Sequence, residues 1–318
     1  MNAKIKRTIL LLICLLFSNL GFSQIKDAYK IKIGSSEVYS LLDGTIEVDA
    51  EKLFNNHTPG KPSQLLAAQF IHNPVEISIN VFLIKEDHKL ILVDAGSGEL
   101  LGSTGGHLIE SLSSIGIQPE AITDILLTHI HADHSGGLII AGKKSFNNAT
   151  IHVNKKELDF WLNEANAKKA SEEHMGANPK TFDNAKNMLL PYLNDHQVKT
   201  FEGENTEVLP HIYSYAIGGH TPGHTIYVLK DTGEEIFFWG DVVHVAAIQL
   251  SAPDVLDHFD VDHHSSEVAR KSFLKHAAEK NLLIAGAHIS FPGLGRLKKE
   301  GKKYNWYSVP YSISGRHQ

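Results

Sequence analysis

From residue 38 onward the chain alternates two kinds of apolar spacing, and the alternation shows no internal repeat. Short runs rich in Val, Ile, Leu, Tyr and Phe predict strands over 38–42, 80–85, 90–94 and 124–128. Asp87 and His88 read as the turn of a hairpin between the second and third. Helical spacing predicts one helix opening at Ser63 as its N-cap, with Leu65, Leu66 and Phe70 on one face, and another over 104–115, stopped by Gly116. Beyond these, 150–153 reads as a strand, Asn154 caps a helix through Trp161 and Leu162, and 184–193 is helical. Strands over 212–217, 225–229 and 235–239 precede a helix over 265–280 and a strand over 282–285. Strands pair into sheets and helices cover them, so the chain is α/β. The hairpin-like neighbours predict mixed or largely antiparallel sheets, not a doubly wound parallel one. No linker or low-complexity tract interrupts the pattern, and residues 24–318 are expected to form a single domain.

The beginning of the chain follows a different logic. Lys4, Lys6 and Arg7 form a basic start, residues 9–17 an apolar core and 18–23 a small-residue exit, the layout of a secretory signal peptide over residues 1–23. The apolar run is far short of the ~20 residues that cross a bilayer, so cleavage is expected to leave a protein with no stable membrane insertion, secreted or periplasmic. Cys14, the sole cysteine, lies inside that run, so the mature chain has no thiol for a disulfide or a metal. Without the three cations of the signal, 27 Lys and Arg face 36 Asp and Glu, a net charge of −9, and nucleic acid is not expected as a partner.

Histidine is abundant, at 20 residues, and part of it clusters. Directly after an apolar strand comes Thr128, His129, Ile130, His131, Ala132, Asp133, His134, Ser135, Gly136 and Gly137. In an extended chain alternate side chains share a face, so His129, His131 and Asp133 are expected to converge while Ile130 and Ala132 turn away. The bland alternative is a polar loop, but burying four such groups without partners is costly. Three further candidates sit at the ends of later strands: His220 in the turn Gly219 to His224, Asp241 after 236–239, and His288 after Ala285, Gly286 and Ala287. Together they offer His129, His131, His220 and Asp241 to one ion, and Asp133, His134, His288 and the shared Asp241 to a second. Nitrogen and oxygen donors without sulfur suit two divalent metal ions, zinc first, with manganese, iron or cobalt as alternatives.

These residues resemble the metallo-β-lactamase superfamily, whose signature is a His-x-His-x-Asp-His run with a later His, Asp and His. The resemblance spans the mature chain and implies an αββα sandwich of two mixed β-sheets flanked by helices, with the metals at one edge. It gives the ligand role to His220 and leaves His224 to orient the turn. The segments Gly240 to Ala247, Phe259-Asp260, Ala287 to Gly295 and Asp159 to Leu162 are similar to the methyl parathion hydrolase branch, and this implies a homodimer. Where that branch carries an aromatic, this chain has Leu101, a departure that weakens the case for organophosphate turnover.

The expected activity is metal-dependent hydrolysis of an ester, lactone or phosphotriester bond in a small-molecule substrate, with water activated between two ions. Asp133 and Asp241 are the expected catalytic residues, the first orienting the nucleophile and the second bridging the ions. Leu101, Trp161, Phe291 and Ile248 are either pocket residues or plain core, since such side chains are mostly buried anyway. His244, three residues after Asp241, is either a site neighbour or a hydrogen-bonded structural histidine. An acyl-homoserine lactone lactonase is the strongest rival, differing only in pocket detail. A non-catalytic protein that binds metal or a small ligand is the rival from another class. A true β-lactamase, a glyoxalase-type thioesterase and a nuclease of the superfamily fit less well.

Overall fold

The computed structural model describes residues 28–312 except 172, 173 and 175; the expected signal peptide lies outside the described residues. Two seven-stranded sheets form its centre. The first runs in chain order through β1 (Ala28–Ile33), β2 (Ser36–Val48), β3 (Val75–Glu86), β4 (Lys89–Val93), β5 (Asp124–Leu126), β6 (Thr150–Asn154) and β7 (Val198–Phe201). Its first four strands pair antiparallel and β4 to β7 pair parallel. The second runs through β8 (Thr206–Leu209), β9 (Ile212–Ala216), β10 (Thr225–Asp231), β11 (Glu234–Phe238), β12 (Leu283–Ala285), β13 (Leu294–Glu300) and β14 (Lys303–Ser308). Only β11 and β12 pair parallel there. Both sheets are mixed, and helices cover their outer faces, so the αββα expectation holds.

The reason for the layering lies in the burial pattern. Ten of the twelve side chains of β3 are buried or partly buried in the run Val75 to Glu86, so that strand must be covered on both faces. Between the sheets Phe82, Ile84, Ile91, Val93 and Leu126 meet Ile212, Leu229, Ile236, Phe238 and Leu283. Phe82 and Phe238 cross this interface with ring centroids 5.5 Å apart. Outside the first sheet, Leu112, Trp161, Phe182, Leu189 and Tyr192 bring the helices Leu108–Ser114, Lys155–Trp161 and Pro179–Asn194 onto it. Phe273, Leu274 and Ala277 of helix His263–Lys280 cover the second. Phe238→Ala empties the middle of the inter-sheet layer, and a loss of about 3–5 kcal/mol is expected in denaturant unfolding. A loss under ~1 kcal/mol would contradict this account of the core.

The hairpin at Asp87 forms as expected, with Asp87 at φ 48°, and the Asn154 side chain caps its helix by accepting from Lys156 N. Other boundaries differ. Ser63 is not an N-cap: Gly60 is, Pro62 occupies the first turn where its missing N–H costs nothing, and Ser63 Oγ donates to Glu51. That helix ends at Ala67, so Phe70 lies beyond it and is 96% exposed instead of sharing the apolar face. The expected helix over 104–115 is only Leu108–Ser114, because Gly106 at φ 83° breaks the chain before it.

Parallel pairing gathers the strand ends. Strands β4, β5 and β6 point the same way, so the residues after each, Asp94, His129 and Glu157, emerge at one edge. The residues after β11 and β12, Asp241 and His288, emerge together from the second sheet.

Candidate metal centre

All seven expected ligands meet at this edge, in two groups. In the first, His220 Nε2 lies 3.2 Å from His129 Nε2 and 3.0 Å from His131 Nδ1, and His129 Nε2 lies 3.1 Å from His131 Nδ1. Asp241 Oδ2 completes it, 3.5 Å from His129 and 3.3 Å from His220. In the second, Asp241 Oδ1 stands 3.0 Å from His134 Nε2 and 3.3 Å from His288 Nε2. Asp133 Oδ2 lies 3.5 Å and 3.3 Å from the same two nitrogens. The two oxygens of Asp241 thus face different groups, as a bridging carboxylate requires.

The expected alternation breaks down at one residue. The extended stretch stops at His131, which opens the one-turn helix Ala132–Ser135. Asp133 therefore does not follow His129 and His131 onto one face; the turn carries it, with His134, into the second group.

Whether the cluster suits cations can be read from its outward hydrogen bonds. His131 Nε2 faces Gly176 O at 2.9 Å, His288 Nδ1 faces Ser78 O at 2.9 Å, His134 Nδ1 faces Asp94 Oδ2 at 2.8 Å and His220 Nδ1 faces Asp260 Oδ1 at 2.9 Å. These acceptors require an N–H. His129 Nδ1 likewise faces the Thr128 hydroxyl at 3.1 Å, whose proton is directed to Asp94. A neutral ring that donates outward turns its other nitrogen inward as a lone pair. With all five rings neutral, five lone pairs and two carboxylates point at one another, an arrangement that calls for positive charge between them, whether protons or cations. His134 Nε2, His288 Nε2 and Asp241 Oδ1 are moreover buried without a hydrogen-bond partner. The donors fit divalent cations, and their outer partners resemble the supports that fix metal-binding imidazoles.

The electrostatics divide along the same line. Burial, with the neighbouring His134, holds His129 well below its ordinary range, and burial with His220 lowers His131 to about 3. Burial also opposes charge on His134, but Asp241, Asp133 and Asp94 outweigh it and raise it well above its ordinary range. His288 is raised to about 9, Asp241 and Asp133 overcoming burial. The surrounding imidazoles hold Asp241 and Asp133 well below the usual carboxylate range against the burial that would raise them.

A cavity of about 190 Å³ opens over both groups. Ile46, Val48, Ile77, Leu101 and Phe259 form its apolar wall, and His131, Asp133, Asp241, His244 and His288 its polar floor. Leu101 is a pocket residue, as is His244, which also bonds Asp241 Oδ2 at 2.9 Å and faces Asp257 at 3.0 Å. Trp161 and Phe291 do not line it. Trp161 is fully buried in the helix-to-sheet core, its ring edge against His131 and its Nε1 donating to Glu157. Phe291 packs against the inter-sheet core, and Ile248 lies in a separate buried cluster. His224 accepts from Asp241 N at 3.0 Å, so it orients the bridging residue from behind.

Several supporting residues escaped the sequence reading. Asp94, directly after an apolar strand like Asp241, carried the same signal that found Asp241. Asp257 carried none, Asp260 stood out only within the Phe259-Asp260 similarity and not as the partner of a ligand, and Glu157, a single acid on a helix, looks like any solvated residue.

The profile of the metallo-beta-lactamase superfamily matches residues 75–288. An N-acyl homoserine lactonase from a Bacillus species is 27% identical over 175 residues, 49% of this chain; the chain spans 60% of that relative's length. N-acyl homoserine lactonase AiiA of Bacillus thuringiensis subsp. kurstaki is 24% identical over 207 residues, 59% of this chain and 68% of the relative. Among solved structures, the hydrolase AbOPH of the beta lactamase superfamily superposes with TM-score 0.85 and 31% identity, covering 91% of this chain and 100% of that one. AidC, a dizinc quorum-quenching lactonase in complex with a product, superposes with TM-score 0.80 and 28% identity, covering 90% and 98%.

Proposed function

Because the chain belongs to the metallo-beta-lactamase superfamily, we propose that it is an exported dizinc hydrolase that opens the ring ester of N-acyl homoserine lactones or closely related lactones. The observation that carries this reading is the bridging position of Asp241 beneath a small, mostly apolar cavity. The lactonases among its relatives support the choice of substrate, and the signal-like residues 1–23 support export.

His129, His131, His220 and Asp241 would hold one ion, and Asp133, His134, His288 and Asp241 the other. Two divalent ions bound there supply Lewis acidity, making water acidic enough to attack near neutral pH and polarising the carbonyl under attack. The chain does the rest. Asp133 is the most exposed of the seven ligands, with a side chain 20% accessible, and its carboxylate accepts a hydrogen bond from the attacking water and so orients it. Ile46, Val48, Ile77 and Leu101 exclude bulk water and take up an aliphatic acyl chain. Thr181 and Asn184 add neutral donors and acceptors at the cavity wall, suited to an amide or a lactone carbonyl.

The cavity also argues against rivals. Among the described residues no Lys or Arg lines it, so nothing there would pair with the carboxylate of a β-lactam. Phe259 is the only Phe, Tyr or Trp among the described lining residues, which favours an aliphatic chain over an aryl leaving group.

The test is a kinetic panel on zinc- and manganese-loaded protein with short- and long-chain acyl homoserine lactones, simple lactones, aryl esters, phosphotriesters and β-lactams. Acyl lactones are expected to exceed phosphotriesters and β-lactams by roughly 100-fold or more in kcat/KM. Faster turnover of a phosphotriester would transfer the substrate assignment to that class. No turnover of any member with both ions bound would favour a binding protein.

A further inference from the structure

We propose that Glu157 is a positioning residue that sets the first metal group, by locking the loop that bears His129 and His131 against the turn that bears His220. The inference deepens the proposed dizinc function and rests on it. Glu157 touches no ligand side chain and is fully buried, in the first turn of helix Lys155–Trp161. Its carboxylate accepts from three N–H groups on three segments. Oε1 takes Ile130 N at 3.0 Å and Trp161 Nε1 at 2.6 Å, and Oε2 takes Gly223 N at 2.8 Å.

The positions of those donors give the residue its meaning. Ile130 stands between His129 and His131, and Gly223 stands between His220 and His224. One carboxylate thus joins two ligand-bearing segments whose histidines, His129 and His220, are 91 positions apart in the chain. The strands behind already meet where Thr225 N donates to Thr128 O at 2.9 Å. Glu157 adds a tie further out, at the level of the ligands themselves. Such a tie matters because His129, His131 and His220, whose inward nitrogens lie 3.0 to 3.2 Å apart, are carried by two separate segments of the chain. The approach is also close: a Cβ on Gly223 would come within 2.4 Å of Glu157 N, so the turn fits against the helix only as glycine.

A buried carboxylate is costly unless it is well hydrogen-bonded, and here every bond it makes organises the first group. The second group is held by other means. Asp94 fixes His134 and Ser78 O fixes His288, and Glu157 reaches neither. The two ions therefore depend on Glu157 unequally.

Glu157→Gln tests this asymmetry. Glutamine nearly preserves volume but has one acceptor oxygen, so its amide N–H₂ opposes either Ile130 N or Gly223 N. Cobalt titration of the full chain, followed by visible absorption and by chelator competition, reads the two affinities. In a His288→Ala background, where only the first group keeps all its ligands, Glu157→Gln is expected to weaken the tighter binding step by roughly 10- to 100-fold. In a His220→Ala background, where only the second keeps all its ligands, it is expected to leave the tighter affinity unchanged. Equal loss in the two backgrounds, or loss in neither, overturns the proposal. Should Glu157→Gln not fold, Trp161→Phe removes one of the three donors and is expected to show the same asymmetry at a smaller size; symmetry there overturns the proposal equally. Wild-type protein that binds no pair of ions would instead sink the dizinc function itself, so the two failures are distinct.

Discussion

Asp241→Asn is expected to lower hydrolysis of the proposed lactone substrates by on the order of 10³-fold and to leave fewer than two ions per chain, a loss of about 4 kcal/mol of transition-state stabilisation. Asparagine keeps the shape of the side chain, and its backbone N–H still donates to His224. What changes is one of two oxygens. Oδ2 serves His129 and His220, Oδ1 serves His134 and His288, and an amide N–H₂ in either place turns two protons toward a nest of lone pairs. His131→Ala acts on the first group alone and is expected to lose metal and activity as well. Metal analysis of the purified variants beside their kinetics decides the matter: two tightly held ions and more than about a tenth of wild-type activity in Asp241→Asn would remove the bridging role.

Metal loading is expected to depend on pH far more steeply at the second group than at the first. An imidazole must be neutral to ligate. Burial already keeps His129 and His131 neutral near pH 7, and in the first group only His220 is raised, Asp241 and Asp260 overcoming its burial. In the second group both imidazoles are raised, His134 well above its ordinary range and His288 to about 9. An ion entering there must displace protons from both. Its affinity is expected to climb with pH up to at least about 9, and calorimetric titration in buffers of different ionisation enthalpy will report the released protons. The sign for the metal-free protein runs the other way. His288, raised from 6.5 to about 9, contributes stability that is fully present below about 6.5 and is lost as pH rises through about 9. A second-site affinity that is flat between pH 6 and 9, windows set by that shift, would contradict the arrangement.

The ligands were legible because each stands where an apolar strand stops, and a strand's end is the one place where a polar side chain has no packing reason to be. Asp133 shows the limit of that logic. Period-two alternation holds only while the backbone is extended, and it ends at His131, whose following residues coil into a turn. Trp161 and Phe291 show another. Apolar character says that a side chain avoids water, and both core and cavity wall satisfy it, so Trp161 packs behind His131 while Ile46, Val48 and Ile77 face the opening. Phe70 escaped its expected face because the helix ended one turn sooner than its spacing suggested. Glu157 was invisible for a different reason: the two partners that tie it to the ligand-bearing segments are backbone N–H groups, which every residue but proline carries, so no residue pattern announces them.

The outward hydrogen bonds of the five imidazoles also govern how the site is assembled. Each ring is anchored to the scaffold through an atom that no cation uses. That anchoring predicts a receptacle shaped by folding itself, in contrast to small domains that collapse only around their ion. Chelation and exchange of the ions are therefore expected to leave the sandwich standing.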